Sequence, residues 1–246
     1  KAIKNRKTFY KKQGYSLEQA NELSDPVQLD MRPLYNTTES YGDFILPGLL
    51  ALILHQTLLI GLAESIAKER EENSIKEWYK TAGYSTYTAI IGKTAFYFIL
   101  FCAYAFFFYT VNYSMFSLNI VGSYNTLAFI TLLYILAVIF MSVFIASFFE
   151  RKIISLQVFA FTSIPFFLIS GYSYPLQTMP AWMQIISSLL PSTIYLNAQV
   201  RLTQMGASVT QILPEIIHLF IFVVISFVAV FFRMRFLFNH KQVQNK

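Results

Sequence analysis

Five long apolar runs separated by short polar breaks dominate this chain: about Phe44 to Ile66, Ile90 to Val111, Thr126 to Phe149, Ile153 to Tyr172 and Leu213 to Phe236. Each run holds about 20 residues or more, enough at about 1.5 Å per residue to cross a hydrocarbon core of about 30 Å. Lipid offers no partner to an open backbone, so the pattern predicts five transmembrane helices. Between the fourth and fifth runs the chain stays apolar but is punctuated by Pro175, Pro180, Pro191 and Gly206. That punctuation predicts two short helices, with Pro180 at a first helical position, Pro191 stopping the first helix, Ser192 capping the second and Gly206 closing it. Pieces of about ten to fourteen residues are too short to span, so Pro180 to Leu190 and Ser192 to Met205 are expected to be re-entrant or interfacial.

Residues 1–43 are polar by contrast. Ser16 is placed to cap a short helix with Leu17, Ala20 and Leu23 on one face, which Pro26 prevents from continuing. Alternation at Val27, Leu29 and Met31 predicts a strand. There is too little apolar surface here for an independent core, so this segment reads as the end of a domain that begins before Lys1. The fold class expected is an all-α polytopic membrane protein with five transmembrane helices and re-entrant outer helices, a short α/β remnant of a separate domain at residues 1–43, and a tail at 237–246.

Composition agrees: 55% of residues are apolar and 13% charged, against about 25% charged in a soluble domain. The net charge of +6 is accounted for by topology-setting loops, and nucleic-acid binding is not expected. Eleven lysines and arginines, from Lys68 to Lys246, flank the spans on one side, against Arg201 alone on the other after the first span. The Ala67 to Gly83 loop, the Glu150 to Lys152 turn and the C-terminus are therefore expected in the cytoplasm and residues 1–43 outside. The basic N-terminal dozen fits that placement as part of a long translocated domain, since long domains cross largely regardless of charge. The single cysteine, Cys102, excludes an intrachain disulfide. Lys1 to Lys12 has no apolar core of a secretory signal, and a first residue other than Met suggests the later part of a longer protein.

The loop AKEREENSIKEWYKTAG, Ala67 to Gly83, is the densest charged passage between the spans. Glu64 with Lys68, and Glu72 with Lys76, have the favourable i, i+4 order, each worth about 0.2–0.5 kcal/mol. Ser74 to Glu77 fits a capping box, in which the Ser74 hydroxyl accepts from the Glu77 N–H and the Glu77 carboxylate reaches back. A helix is thus predicted from Ile75, after a break at Asn73, with Ile75, Trp78, Tyr79 and Ala82 on one face and an end at Gly83. A helix of two turns is marginal in water, so its aromatic face needs burial, in lipid headgroups or in a groove on a soluble partner.

The runs NTTESYGDFILPG, AKEREENSIKE, Gly92-Lys93, SGYSYPLQTMP and LLPSTIY with the following Arg201 together resemble the membrane subunit of an ABC-2 type exporter. The resemblance implies an earlier span and most of an extracytoplasmic domain ahead of this chain, and a cytoplasmic coupling element that falls on Ala67 to Gly83. There it assigns contact with an ATP-binding subunit to Glu69, Arg70, Glu71, Ser74, Ile75, Glu77, Trp78 and Tyr79. It assigns an outer gate to the segment with Gly171, Pro175, Pro180, Pro191 and Arg201. It further implies ATP and Mg on the partner subunit, a homodimer or heterodimer of permeases, contact with membrane lipids, a periplasmic adaptor as a further candidate partner, and a bacterial inner membrane location. One departure is Asn73-Ser74, where the family often has Gly-Thr; Asn tolerates the left-handed conformation and Ser caps, so the break can persist.

Other chemistry is sparse. Gly92-Lys93-Thr94 matches the end of a phosphate loop, but Tyr87 stands where its first glycine belongs, so nucleotide binding in this chain is not expected. His55 and Gln56 lie mid-span, where they either bond between helices or line a path. Glu64 and Lys93 can reach water by snorkelling, with no need of a buried pair. Glu215 and His218, at i and i+3, make a weak metal signal, and contact with the short outer helices is the stronger reading. No nucleophile, base and acid set is present, so no catalytic, cofactor or metal site is expected. The leading expectation is the permease subunit of an ATP-driven exporter of hydrophobic or amphipathic molecules; the alternative is a non-transporting membrane scaffold or sensor that recruits a cytoplasmic protein.

Overall fold

In a computed structural model of the chain, residues 2–19 and 41–243 are described, and residues 1–39 and 40–246 form separate compact units. In the first unit, α1 (Ala2–Lys12) is followed by a left-handed Gly14 (φ +89°) and a new helical turn from Leu17. Ser16 Oγ accepts from the Gln19 N–H at 3.2 Å while Gln19 Oε1 accepts from the Ser16 N–H at 3.3 Å, a reciprocal cap. The strand expected at Val27 to Met31 lies outside the described residues; among those described there is no strand.

The second unit is helical. Its elements are α2 (Tyr41–Glu71), α3 (Ile75–Thr81), α4 (Thr86–Phe107), α5 (Tyr124–Ala146), α6 (Lys152–Ile169), α7 (Ala181–Ser188), α8 (Pro191–Thr203) and α9 (Leu213–Val243). A π-helical turn, Phe108–Asn112, and one α-turn, Tyr113–Met115, prolong α4. Five helices, at Phe44–Glu71, Thr86–Met115, Tyr124–Ala146, Lys152–Ile169 and Leu213–Asn239, are long and apolar enough to cross a membrane. The protein is an all-α polytopic membrane protein.

The core is organised around α5, which is buried on nearly every side and packs against α2, α4, α8 and α9. On α2 the buried residues Ala51, Leu54, His55, Leu58, Leu59, Leu62, Ala63 and Ile66 recur at three and four, the stripe of an interface helix, while Ile53 on the opposite side is exposed. Two sequence-inert groups join the helices: Ser142 Oγ donates to the Leu59 carbonyl at 3.1 Å and Tyr97 Oη to the Gly61 carbonyl at 3.1 Å. Ser85 and Ser123 cap α4 and α5 by accepting from Thr88 and Thr126.

Several boundaries differ from the sequence pattern. The first span runs on to Glu71, as one continuous helix with the charged stretch. The third stops at Ala146 rather than Phe149, because the Phe148 and Phe149 N–H groups turn to carbonyls three residues back and close the helix. Pro180 is the residue before α7, not its first helical position, since its extended backbone (φ −56°, ψ 147°) starts the turn. The first short helix ends at Ser188, before Pro191 could stop it; Pro191 instead opens α8 at its first position behind Leu190. Ser192 is therefore inside α8, its hydroxyl buried without a partner, and does not cap. Gly206 does close α8, in the left-handed region at φ +64°.

At the end away from the charged loop, Tyr172 stacks on Phe44 (5.4 Å between centroids) and its hydroxyl donates to the Phe44 carbonyl. This seat depends on Gly48, where any Cβ would overlap the Tyr172 ring. Gly48→Ala is expected to lower the stability of the purified protein by about 1–3 kcal/mol, the usual cost of overpacking, and Gly61→Ala, where the nearest atom is 3.6 Å away, by far less. Unfolding of the two variants side by side in one detergent checks this.

Candidate functional site

The charged stretch folds into an elbow, the short helix α3 between two left-handed turns. Asn73 (φ +56°) ends α2, with the Ser74 N–H on the Glu69 carbonyl at 3.0 Å and the Asn73 N–H on the Arg70 carbonyl at 3.3 Å. Gly83 (φ +67°) ends α3 in the same way: the Tyr84 N–H reaches the Tyr79 carbonyl and the Gly83 N–H the Lys80 carbonyl, both at 3.0 Å. Each is a Schellman motif, and the second carries the apolar contact that often accompanies it, Tyr84 edge-on to Tyr79 at 5.6 Å. Asn73 supplies its break without glycine because its short polar side chain tolerates this region.

The aromatic face of α3 is satisfied within the chain. Tyr79 stacks on Phe238 of α9 at 4.4 Å, Trp78 meets the same ring edge-on at 5.3 Å, and Ile75 is 2% exposed. Lys93 Nζ lies 5.0 Å from the Trp78 ring centre. Phe238 of the last span thus covers part of this face from within the chain, because α9 runs past its apolar stretch far enough to present it, and Trp78 and Tyr79 stay half-buried. What α3 leaves open is a groove of about 330 Å³ lined by Ile75, Lys76, Glu77, Tyr79, Lys80, Tyr84 and Phe238, with Glu77, Lys80 and Tyr84 exposed.

Acidic and basic side chains before α3 tie the elbow to the bundle. Glu69 Oε1 pairs with Lys93 Nζ at 2.5 Å, both largely buried, and Glu69 Oε2 accepts from the Ser74 hydroxyl. The capping box therefore does not form: Ser74 turns back to the nearer carboxylate, and α3 starts with no side-chain cap. Lys93 is likewise paired inside rather than snorkelling, because Glu69 lies one helix away at the same depth. Lys68 pairs with Glu72 at 3.7 Å. Arg70 donates to the Ser147 carbonyl and, at 3.3 Å, to Glu150. Arg233 of α9 donates to that same carbonyl and to Ser147 Oγ, each at 3.2 Å. Two guanidinium groups thus meet the negative end of α5, where unsatisfied carbonyls attract cations. Glu71 accepts from the Lys152 N–H at 2.9 Å, at the positive start of α6. Glu69, Arg70 and Glu71 all make bonds within the chain.

Mid-bundle, His55 Nδ1 lies 2.9 Å from the Tyr134 hydroxyl, and Gln56 Nε2 donates to the Phe159 carbonyl at 2.5 Å, so each joins α2 to a neighbouring helix. Beside them is a hydroxyl cluster that the sequence did not single out. Tyr134 stacks flat on Tyr195 at 4.0 Å; the Tyr195 hydroxyl meets Tyr109 and Thr131; and Gln199 Nε2 donates to the Tyr109 and Tyr113 hydroxyls at 3.1 and 3.2 Å. The π-turn at Phe108–Asn112 brings Tyr109 and Tyr113 into it, and such turns are frequent at functional positions. Among abundant tyrosines only the helix-breaking asparagine and threonine near Val111 hinted at a local irregularity.

The opposite end gathers three of the expected gate residues, Gly171, Pro175 and Arg201, around a hollow of about 570 Å³. Gly171 (φ +82°), Tyr172, Pro175 and Leu176 form one wall, and Asn197, Arg201, Met205 and Glu215 another. Arg201 pairs with Glu215 and donates to the Gln211 carbonyl at 2.6 Å, so Glu215 contacts the short helix α8. Pro180 and Pro191 start helices and do not line this hollow. Among the described residues there is no group of three or more metal-ligating side chains.

Substitutions at two positions test this geometry. Asn73→Gly is expected to keep the elbow, while Asn73→Val costs about 1–2 kcal/mol from left-handed strain. Tyr134→Phe leaves both nitrogens of His55 without a partner and is expected to cost about 1–3 kcal/mol. Denaturant unfolding of the purified variants measures both.

The chain matches the family described as ABC-2 family transporter protein over residues 1–232. It is also 26% identical over 165 residues to the "Probable multidrug ABC transporter permease YbhR" of Escherichia coli (strain K12), and equally to that of Escherichia coli O157:H7. The aligned part covers 67% of this chain and 44% of those relatives, so the chain spans less than half of their length. With the family pattern running through both units and all but the last turns of α9, this chain belongs to the ABC-2 family of transporter proteins.

Proposed function

We propose that the chain is the transmembrane permease subunit of an ATP-driven exporter and that a separate ATP-binding subunit docks at the α3 elbow. The observation that carries this reading is the mounting of α3. It is joined to α2 and α4 through two left-handed turns and is stacked on Phe238 of α9, so a push on α3 reaches three spans together. The elbow end, with its lysines and arginines, faces the cytoplasm of a bacterial plasma membrane, and the Arg201 hollow faces outward as part of the gate. Two permeases, identical or related, enclose the path between them. ATP and Mg belong to the docked subunit.

Within this reading the roles at the elbow divide. Trp78, Tyr79, Ile75, Glu69 and Arg70 hold the elbow in shape from within, while Glu77, Lys80 and Tyr84 offer the contact surface beside the groove. The substrate class is hydrophobic or amphipathic, in keeping with the word "multidrug" in the relatives' name and with an interior poor in free charge.

Reversing both exposed charges, Glu77→Lys with Lys80→Glu, is expected to weaken association with the co-expressed ATP-binding subunit about tenfold and to lower ATP-dependent export from inverted vesicles to match, with membrane insertion unchanged. Trp78→Ala with Tyr79→Ala is expected to reduce both association and the stability of the isolated chain. Unaltered co-purification and export in the charge-reversed protein would sink the docking reading.

A further inference from the structure

The molecule carries its polar machinery at two ends: α3 with its groove at one, and α8 with the Arg201 hollow at the other. We infer that α9 is the mechanical link between these ends, fastened to α3 by Phe238 and to α8 by the Glu215–Arg201 ion pair, so that the two ends move together.

Both fastenings are side-chain contacts to elements that are not themselves spans. At one end, Phe238 is 1% exposed and holds Tyr79 flat at 4.4 Å and Trp78 edge-on at 5.3 Å. At the other, Glu215 pairs with Arg201, whose second amine is fixed on the Gln211 carbonyl at 2.6 Å. From Glu215 to Phe238 the sequence has neither glycine nor proline, and the helix is unbroken from Leu213 to Val243. Kinks arise almost always at such residues or at π-bulges, so this segment behaves as one rigid rod of about 35 Å.

The sides of α9 suit it to moving as a body. One side lies along α5, through Phe227 against Phe140 at 5.2 Å and Arg233 on Ser147. The other side is apolar and exposed, including Ile217, Ile221, Val224, Ile225, Val228 and Phe232, and none of the described residues covers these positions. The helix α2 also reaches both ends, but it meets α3 through the backbone turn at Asn73, whereas α9 meets it through packed side chains. Tyr79 flat and Trp78 edge-on against Phe238 fix α3 to α9 by direct ring contact. Phe238, Arg201 and Glu215 are therefore positioning residues.

This inference rests on the proposed role of α3 for its meaning in transport, but its test uses the chain alone in lipid nanodiscs. Failure of the link is thereby distinguishable from failure of ATPase docking. The sequence has two tryptophans, Trp78 and Trp182, so Trp182→Phe leaves Trp78 as a single reporter of the α3 seat. A maleimide-reactive Met205→Cys, in a Cys102→Ala background, reports on the hollow. Arg201→Ala is expected to speed labelling at position 205 and also to raise acrylamide quenching of Trp78 by about twofold, the sign of local opening at the far end. Phe238→Ala is expected to expose Trp78 and also to speed labelling at position 205 by a similar factor. The exchange Arg201→Glu with Glu215→Arg, which restores the pair, is expected to return Trp78 to its original quenching.

A far end that stays unchanged while the near end loosens overturns the link. So does a response to only one of Arg201→Ala and Phe238→Ala, because a rigid rod fastened at both ends carries a disturbance either way. Trp182 on α7, read in a Trp78→Phe background, guards against general unfolding. Phe238→Ala is expected to leave it unchanged, and a change there as large as that at position 205 would overturn a directed link.

Discussion

A two-turn helix does not hold its shape in water, and the way α3 escapes that limit governs the rest of this structure. Its aromatic face rests on Phe238 from the last span, and its ends are closed by backbone bonds at Asn73 and Gly83. The elbow is thereby part of the bundle, with its shape set before any partner arrives. A surface ordered in this way carries no further entropy cost of ordering a loop.

The same constraint explains where the charged residues went. A charge near the hydrocarbon boundary is costly unless paired, and this chain places its charges where helix ends already carry partial charges. Arg70 and Arg233 meet the carbonyl end of α5, Glu71 the amide end of α6, and Glu69 holds Lys93 and Ser74. These contacts join α2, α4, α5, α6 and α9 in one layer beneath the elbow. Deeper in the bundle the phenols of Tyr109, Tyr113, Tyr134 and Tyr195 do comparable work with neutral groups. Every hydroxyl there finds a neighbour, whereas Gln199 Oε1 and His55 Nε2 do not. The network ties α2, α5 and α8 to the span that carries the π-turn, and its two unsatisfied atoms lie at its margins on α8 and α2.

Much of the architecture could be read from one sequence, and the failures around the charged loop share a cause. The five apolar runs, the break at Asn73, the end at Gly83 and the closing role of Gly206 are local, and each follows from chain geometry or from the absence of hydrogen-bond partners in lipid. The features misplaced there needed a partner outside the local sequence pattern, whereas at Pro180, Pro191 and Ser192 only the helix boundary shifted. Ser74 is a good cap by its neighbours, but its hydroxyl donates to Glu69, which Lys93 holds in place, and does not accept from the Glu77 N–H. Lys93 can snorkel alone, but a carboxylate on the adjacent helix removes the need. Trp78 and Tyr79 required burial, yet nothing near them in sequence named Phe238, which lies about 160 residues away along a folded chain whose contacts are set by topology.

What the sequence by itself determined is the number and kind of spans, the basic end, the left-handed breaks around α3 and the family pattern across the chain. These depend on residue type and spacing, which are properties of the chain before it folds. What only the tertiary structure decided is which groups meet: Phe238 under the elbow, two arginines on one carbonyl, four tyrosines in one cluster and Arg201 on Glu215. Periodicity tells which face of a helix must be covered but carries no information about what covers it, because burial is non-directional and any apolar surface at the right depth satisfies it.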